Sequence, residues 1–184
     1  MPVGRSTRSL RPDGRGGGAR LFAFDFGVRD PEGRELYRAL REPNRFFTQG
    51  EGAALRVLAR AEGTLGAQFF GRLYNDTPAD NDNLSDLTGE PASNGYQAIP
   101  WSRNTTDFAA PTIVAGVQQE SVGGSKVFSA TGNGFGPVTA FVFATTSDNS
   151  GIPVAWAMLG GARSFPGGST LTVTPRMMIR GVTT

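Results

Sequence analysis

The chain has 184 residues, 18 basic and 16 acidic side chains for a net charge of +2, and neither cysteine nor histidine. Those two absences exclude disulfides, thiolate nucleophiles, iron–sulfur clusters, cysteine- or histidine-based zinc sites and any Ser-His-Asp triad. With 26 glycines, 12 prolines, 13 phenylalanines and only 18% charged residues, the composition suits a turn-rich, all-β binding or structural protein better than an enzyme.

The charge is unevenly spread. Residues 1–72 carry 13 arginines against 8 acids, and residues 73–184 carry 5 basic residues against 8 acids. Lys126 is the single lysine. An arginine bias favours bidentate contacts with carboxylates and phosphates, and a GC-rich genome produces the same bias with no function attached. In residues 1–20, Arg5, Arg8, Arg11, Arg15 and Arg20 flank a glycine run at Gly16–Gly18. So little apolar surface cannot offset the entropy of ordering, so the segment is expected to be disordered alone. It reads as an arm laid over a partner protein through those five arginines; a phosphate-binding tail and a floppy terminus are the alternatives. No apolar stretch of signal-peptide type follows the start, and no window approaches the ~20 apolar residues of a membrane span.

In chain order, Leu21–Val28 reads as a short strand. Asp30-Pro31-Glu32 has the form of a helix start, with Leu36, Tyr37 and Leu40 as an apolar stripe ending before Pro43. Ala53–Ala61 has helical composition, but Leu55, Val57 and Ala59 alternate with Arg56, Leu58 and Arg60, and the strand reading is the one taken. From Gly66 onward, strands are expected at Gln68–Tyr74, Gly95–Trp101, Pro111–Gln119, Lys126–Ala130, Pro137–Thr146, Ile152–Leu159 and Ser169–Gly181. In the last, Leu171, Val173, Met177 and Ile179 face one way and Thr170, Thr172, Thr174, Arg176 and Arg180 the other. Pro175 interrupts it, which predicts an edge strand or a bulge. Phe141, Val142 and Phe143 are apolar on both faces, as in a central strand covered on each side. Strands without intervening helices predict a mainly β fold, a β-sandwich or jelly-roll-like domain with an extended N-terminal arm and at most one or two short helices. The chain divides into the arm (1–20), a small strand/helix unit packed on the core (21–66) and the β-sandwich (67–184).

Candidate chemistry is sparse. Asp76, Asp80, Asp82 and Asp86 are dense enough for calcium, but Leu84 falls at a would-be ligand position and no glutamate closes the loop; Asx-turns explain the composition as well. Gly132-Asn133-Gly134-Phe135-Gly136 resembles part of a phosphate loop without its helix and reads as a hairpin connection. Trp101, Phe108, Phe135, Trp156 and Phe165 can stack on sugars or bases, or fill a core; Trp156, between two alanines, reads as core. Phe165, in the glycine-flanked RSFPGGS, reads as an interface loop or mobile tip. A carboxylate pair of glycosidase type can always be drawn from 16 acids and carries no signal.

From Gly71 to the C-terminus the chain resembles a β-rich family of small tailed-bacteriophage virion proteins. The match is carried by Leu73, Asn75, Thr77-Pro78, Leu84, Asp86-Leu87-Thr88, Gly95-Tyr96 and Trp101, then Val138–Val142, Val154-Ala155-Trp156-Ala157 and Thr172-Val173-Thr174-Pro175. The order and spacing of these pieces carry it, since each alone is a turn or a strand. The resemblance implies a non-enzymatic virion structural role without cofactor or metal, most directly a capsid decoration (cement) protein made in the host cytoplasm. Such a protein binds the major capsid protein on the outer surface of the head shell. Homo-oligomers, trimers at threefold positions, are expected of such proteins by symmetry matching; neither a membrane nor a specific nucleic acid is an expected partner. A tail, collar or fibre component is the alternative, separable by copy number. A glycan-processing enzyme of the particle is a third reading that nothing in the sequence favours.

Overall fold

The computed structural model describes residues 22–43, 45–60, 65–114 and 118–180. Among them the protein is mainly β, with two antiparallel sheets that form a β-sandwich-like domain and one helix. Sheet A takes β1 (Phe22–Arg29), β2 (Glu35–Pro43), β6 (Thr112–Val114), β7 (Gln118–Val122), β8 (Lys126–Ser129) and β11 (Thr170–Arg180). Its order is β2-β1-β11-β7-β6, with β8 also paired to β11. Sheet B is ordered β3-β10-β9-β4-β5, from β3 (Arg45–Phe46), β4 (Gln68–Tyr74), β5 (Ile99–Ser102), β9 (Phe135–Ala144) and β10 (Pro153–Phe165). Helix α1 spans Thr48–Arg60. The segment before Gln68 thus supplies two strands to sheet A, one to sheet B and the helix.

The main core lies between the sheets and is largely aromatic. Phe22, Phe24 and Phe26 of β1 interleave with Phe69, Phe141 and Phe143 of sheet B, with Trp101 and Phe128 closing the flanks. Ring centroids approach to 4.9 Å for Phe24–Phe141 and for Phe69–Phe143. Each buried phenylalanine stabilises the fold by roughly 1.5–3 kcal/mol. The expectation for Phe141–Phe143 holds: β9 lies inside sheet B, and Val142 and Ala144 face a second core on its far side with Phe47, Tyr74, Leu84, Leu87 and Trp156.

Two local readings are corrected. The segment after Asp30 is strand β2. Asp30-Pro31-Glu32-Gly33 is the turn of a β1–β2 hairpin, where Gly33 sits at φ 81° and Asp30 accepts from the Arg34 amide at 2.8 Å and Nε at 2.6 Å. Aspartate and proline open turns as readily as helices, and Gly33 decides between them. Residues 48–60 are helical, with Glu51 in the first turn and Arg60 in the last, each at the end of the helix dipole that favours it.

Of the edge or bulge expected at Pro175, the edge is corrected, while pairing on one flank does break there. β11 is paired on both sides, to β1 over Thr170–Met177 and to β8 then β7 on the other flank. Pro175 falls where β8 gives way to β7, so its missing N–H interrupts no ladder there, and its carbonyl accepts from Gly123 at 2.7 Å.

Candidate interaction surface

The residues expected to act meet different fates. Arg5, Arg8, Arg11, Arg15 and Arg20 lie outside the described residues. Phe165 is corrected: it ends β10 with 1% exposure, its ring 5.1 Å from that of Phe135, and the turn comes after it at Pro166. Trp101, Phe108, Phe135 and Trp156 are buried as well, so none offers a stacking platform. Gly132–Gly136 links β8 of sheet A to β9 of sheet B, which corrects the hairpin reading.

The acidic loop is held by turns. The Asp76 carboxylate accepts from the Thr77 amide at 2.7 Å and from the Thr88 amide and hydroxyl at 2.7 and 2.9 Å. Asp82 accepts from the Ala79 amide and Asp86 from the Asn83 amide. Among the described residues no three acidic side chains converge on a metal-sized site. These turns fold the loop over the outer face of sheet B, where Leu84 and Leu87 enter the second core.

Burial raises the Asp76 pKa, but the hydrogen bonds from Thr88 and Thr77 outweigh it and hold the carboxyl below its usual value. A depressed folded pKa gives stability that is present above the unfolded carboxylate value of about 3.9 and is lost as pH falls through the folded value. Acid titration of unfolding stability is therefore expected to show a loss below about pH 4, and Asp76→Asn to flatten that loss. An unchanged acid limb in the variant would contradict the assignment.

One cluster joins this loop to the β-strands. Arg72, 2% exposed, donates to both Glu90 oxygens at 2.9 and 2.5 Å, to the Asp148 carbonyl at 2.7 Å and to Asn149 Oδ1 at 2.9 Å. The Tyr96 hydroxyl donates to Glu90 at 2.7 Å and accepts from the Leu73 amide. Burial first, then the Glu90 charge, push the Tyr96 hydroxyl far above its ordinary pKa. Every group here is satisfied by its neighbours, and the cluster has the character of a structural clasp.

The surface with the form of a binding face is the outer side of sheet A. Because side chains alternate, the residues of β1 between the inward Phe22, Phe24, Phe26 and Val28 point to the other face, and these are Ala23, which is buried, Asp25 and Gly27. Register then sets Arg38 of β2, Gly27 of β1, Thr172 of β11 and Val127 of β8 in one row across four strands. Thr170 and Thr174 flank that row, and Leu36, Leu40 and Val127 stand 62%, 62% and 46% exposed. The floor of the face is glycine and threonine, and a Cβ at Gly27 would meet no atom within 4 Å. At one end Arg176 grips Asp25 at 2.7 Å and Glu120 at 3.2 Å. The face thus presents exposed apolar side chains beside small residues and Arg38. The sequence reading missed it because Leu36 and Leu40 were assigned to a helical stripe; the alternation of Leu36, Arg38 and Leu40 with Tyr37 and Ala39 was the available signal.

No protein-family model matches the chain, and no curated protein matches it either.

Proposed function

We propose that the protein is a non-enzymatic virion structural protein, a decoration (cement) protein that sits on the outside of a bacteriophage head shell. The observation that carries this reading is the outer face of sheet A, with Leu36, Leu40 and Val127 exposed and open space above Gly27. A shell-binding protein needs contact area rather than chemistry, and repetition over the lattice multiplies a modest contact by avidity. The ordered resemblance from Gly71 onward supports the virion assignment. The major capsid protein is the partner, the outer face of sheet A its contact, and Arg5, Arg8, Arg11, Arg15 and Arg20 bind shell carboxylates. The tail or fibre alternative called for aromatics at exposed loop tips, whereas Phe165 and Phe135 are core residues.

The test is copy number on purified particles together with binding of full-length Gly27→Arg to heads that lack the protein. Copies approaching the major capsid protein, or a fixed large fraction of it, are expected. The arginine has open space in which to stand, so folding is retained, while a long side chain in the middle of the face weakens shell binding at least about tenfold. A dozen copies per particle would move the protein to the neck or tail, and full-occupancy binding by Gly27→Arg would remove sheet A from the contact.

A further inference from the structure

We infer that the apolar cavity beneath helix α1 and the polar recess beside it form one binding site for a small amphipathic carboxylate, its tail in the cavity and its head at Arg103. The cavity is half open to solvent and holds about 260 Å³ at one end of the sandwich. It arises from how the helix sits. Gly50, in the first turn, packs directly on the Val154 backbone, where any Cβ would collide. Further along, Ala54 and Val57 look across the cavity toward Phe22, Phe69 and Met177. Short side chains on that helix face leave the gap open, and Leu55 stays 64% exposed. A mostly apolar cleft of this size accepts hydrocarbon.

A second observation gives the ligand its head. The polar recess, lined by Gly66, Gln68, Ser102 and Asn104, shares Arg103 with the apolar cavity. Arg103 is positioned by a hydrogen bond from Nη1 to the Gly66 carbonyl at 2.7 Å and by stacking over Phe69 at 5.4 Å. Its fork has further N–H donors, a planar match for a carboxylate. The neighbouring acid, Asp107, is already committed to the Ser102 amide at 2.5 Å and to Lys126 at 3.0 Å, so it does not compete for Arg103.

The experiment is calorimetric titration of the full-length protein with decanoate below its micellar range, with decanol as the uncharged comparison. One saturable site is expected. Arg103→Gln weakens it about tenfold, the worth of a charge-assisted hydrogen bond, and Ala54→Phe, which fills the cavity, abolishes it. On the unaltered protein, methyl-labelled methionine NMR should shift Met177 and Met178 and leave Met158, in the second core, unmoved; this readout stands if Ala54→Phe fails to fold. Absence of a saturable site, equal affinity for decanol, or decanoate binding by folded Ala54→Phe would overturn the proposal. If decanoate fails while folded Ala54→Phe loses affinity for shells, the cavity takes an apolar side chain of a protein partner and the proposal is likewise overturned.

Discussion

Phe141→Ala is expected to lower unfolding stability by about 3–5 kcal/mol, the cost of removing a buried ring and leaving its cavity. The side chain is fully buried and lies at the centre of the aromatic core, with ring centroids at 4.9 Å to Phe24, 5.7 Å to Phe26 and 6.0 Å to Phe143. Collapse into the space is hindered because the surrounding rings are held on both sheets. The backbone opposite is fitted to the same ring: a Cβ at Gly71 would stand 2.7 Å from Phe141 and 2.6 Å from Trp101. Gly71→Ala should therefore destabilise the parent strongly and the Phe141→Ala protein much less, a coupling that a thermodynamic cycle reads directly. Urea unfolding provides the measurement. A loss below about 1 kcal/mol for Phe141→Ala would show that the core relaxes freely around the gap.

Glu90→Leu should cost a similar amount, about 3–5 kcal/mol, for a different reason. Burial lowers the proton affinity of the Arg72 guanidinium, and the Glu90 hydrogen bonds more than reverse that effect, so the arginine is charged inside the protein. Removing the carboxylate leaves that charge with only the Asp148 carbonyl and Asn149 as acceptors. Tyr96 loses its acceptor at the same time. The double replacement Arg72→Met with Glu90→Leu removes charge and counter-charge together and should recover most of the loss, because a buried ion pair contributes little net stability over an apolar pair. Limited proteolysis should find the 76–90 loop cut far faster in Glu90→Leu than in the double variant. Equal stability of the two would show that the clasp does not hold a buried charge.

Much of the β architecture was readable from the chain. Alternation in Thr170–Thr174 and the two-faced apolar run at Phe141–Phe143 gave both the strands and their burial, because period-two patterning reports directly on which face is covered. The failures occurred where one local pattern serves two structures. Asp30-Pro31-Glu32 satisfies a helix N-terminus and a β-turn alike, and the choice fell to pairing with a strand that the local sequence cannot reveal. The segment from Ala53 carries alternation and helical composition together, and the structure follows its composition. Phe165 was misread because its glycine neighbours mark a turn, while the ring itself belongs to the preceding strand. The candidate surface was legible only in fragments: its row of Arg38, Gly27, Thr172 and Val127 joins four separate stretches of chain, and register between distant strands is not encoded in any one of them.

The pairing of β1 with β11 has a consequence for the order in which the molecule is made. Asp25 and Arg176, joined across sheet A, are 151 residues apart in the chain. At ordinary rates of translation about eight to thirty seconds separate their synthesis. During that interval β2 is the only strand neighbour β1 can pair with, although Phe69, Phe141 and Phe143 are already made and can cover its phenylalanines. β11, in the middle of sheet A, follows the sheet's other described strands in the chain, so a chain that stops short of it has no assembled outer face to offer. Presentation of that face is thereby tied to the synthesis of β11, and until then the free edge of β1 stays unpaired.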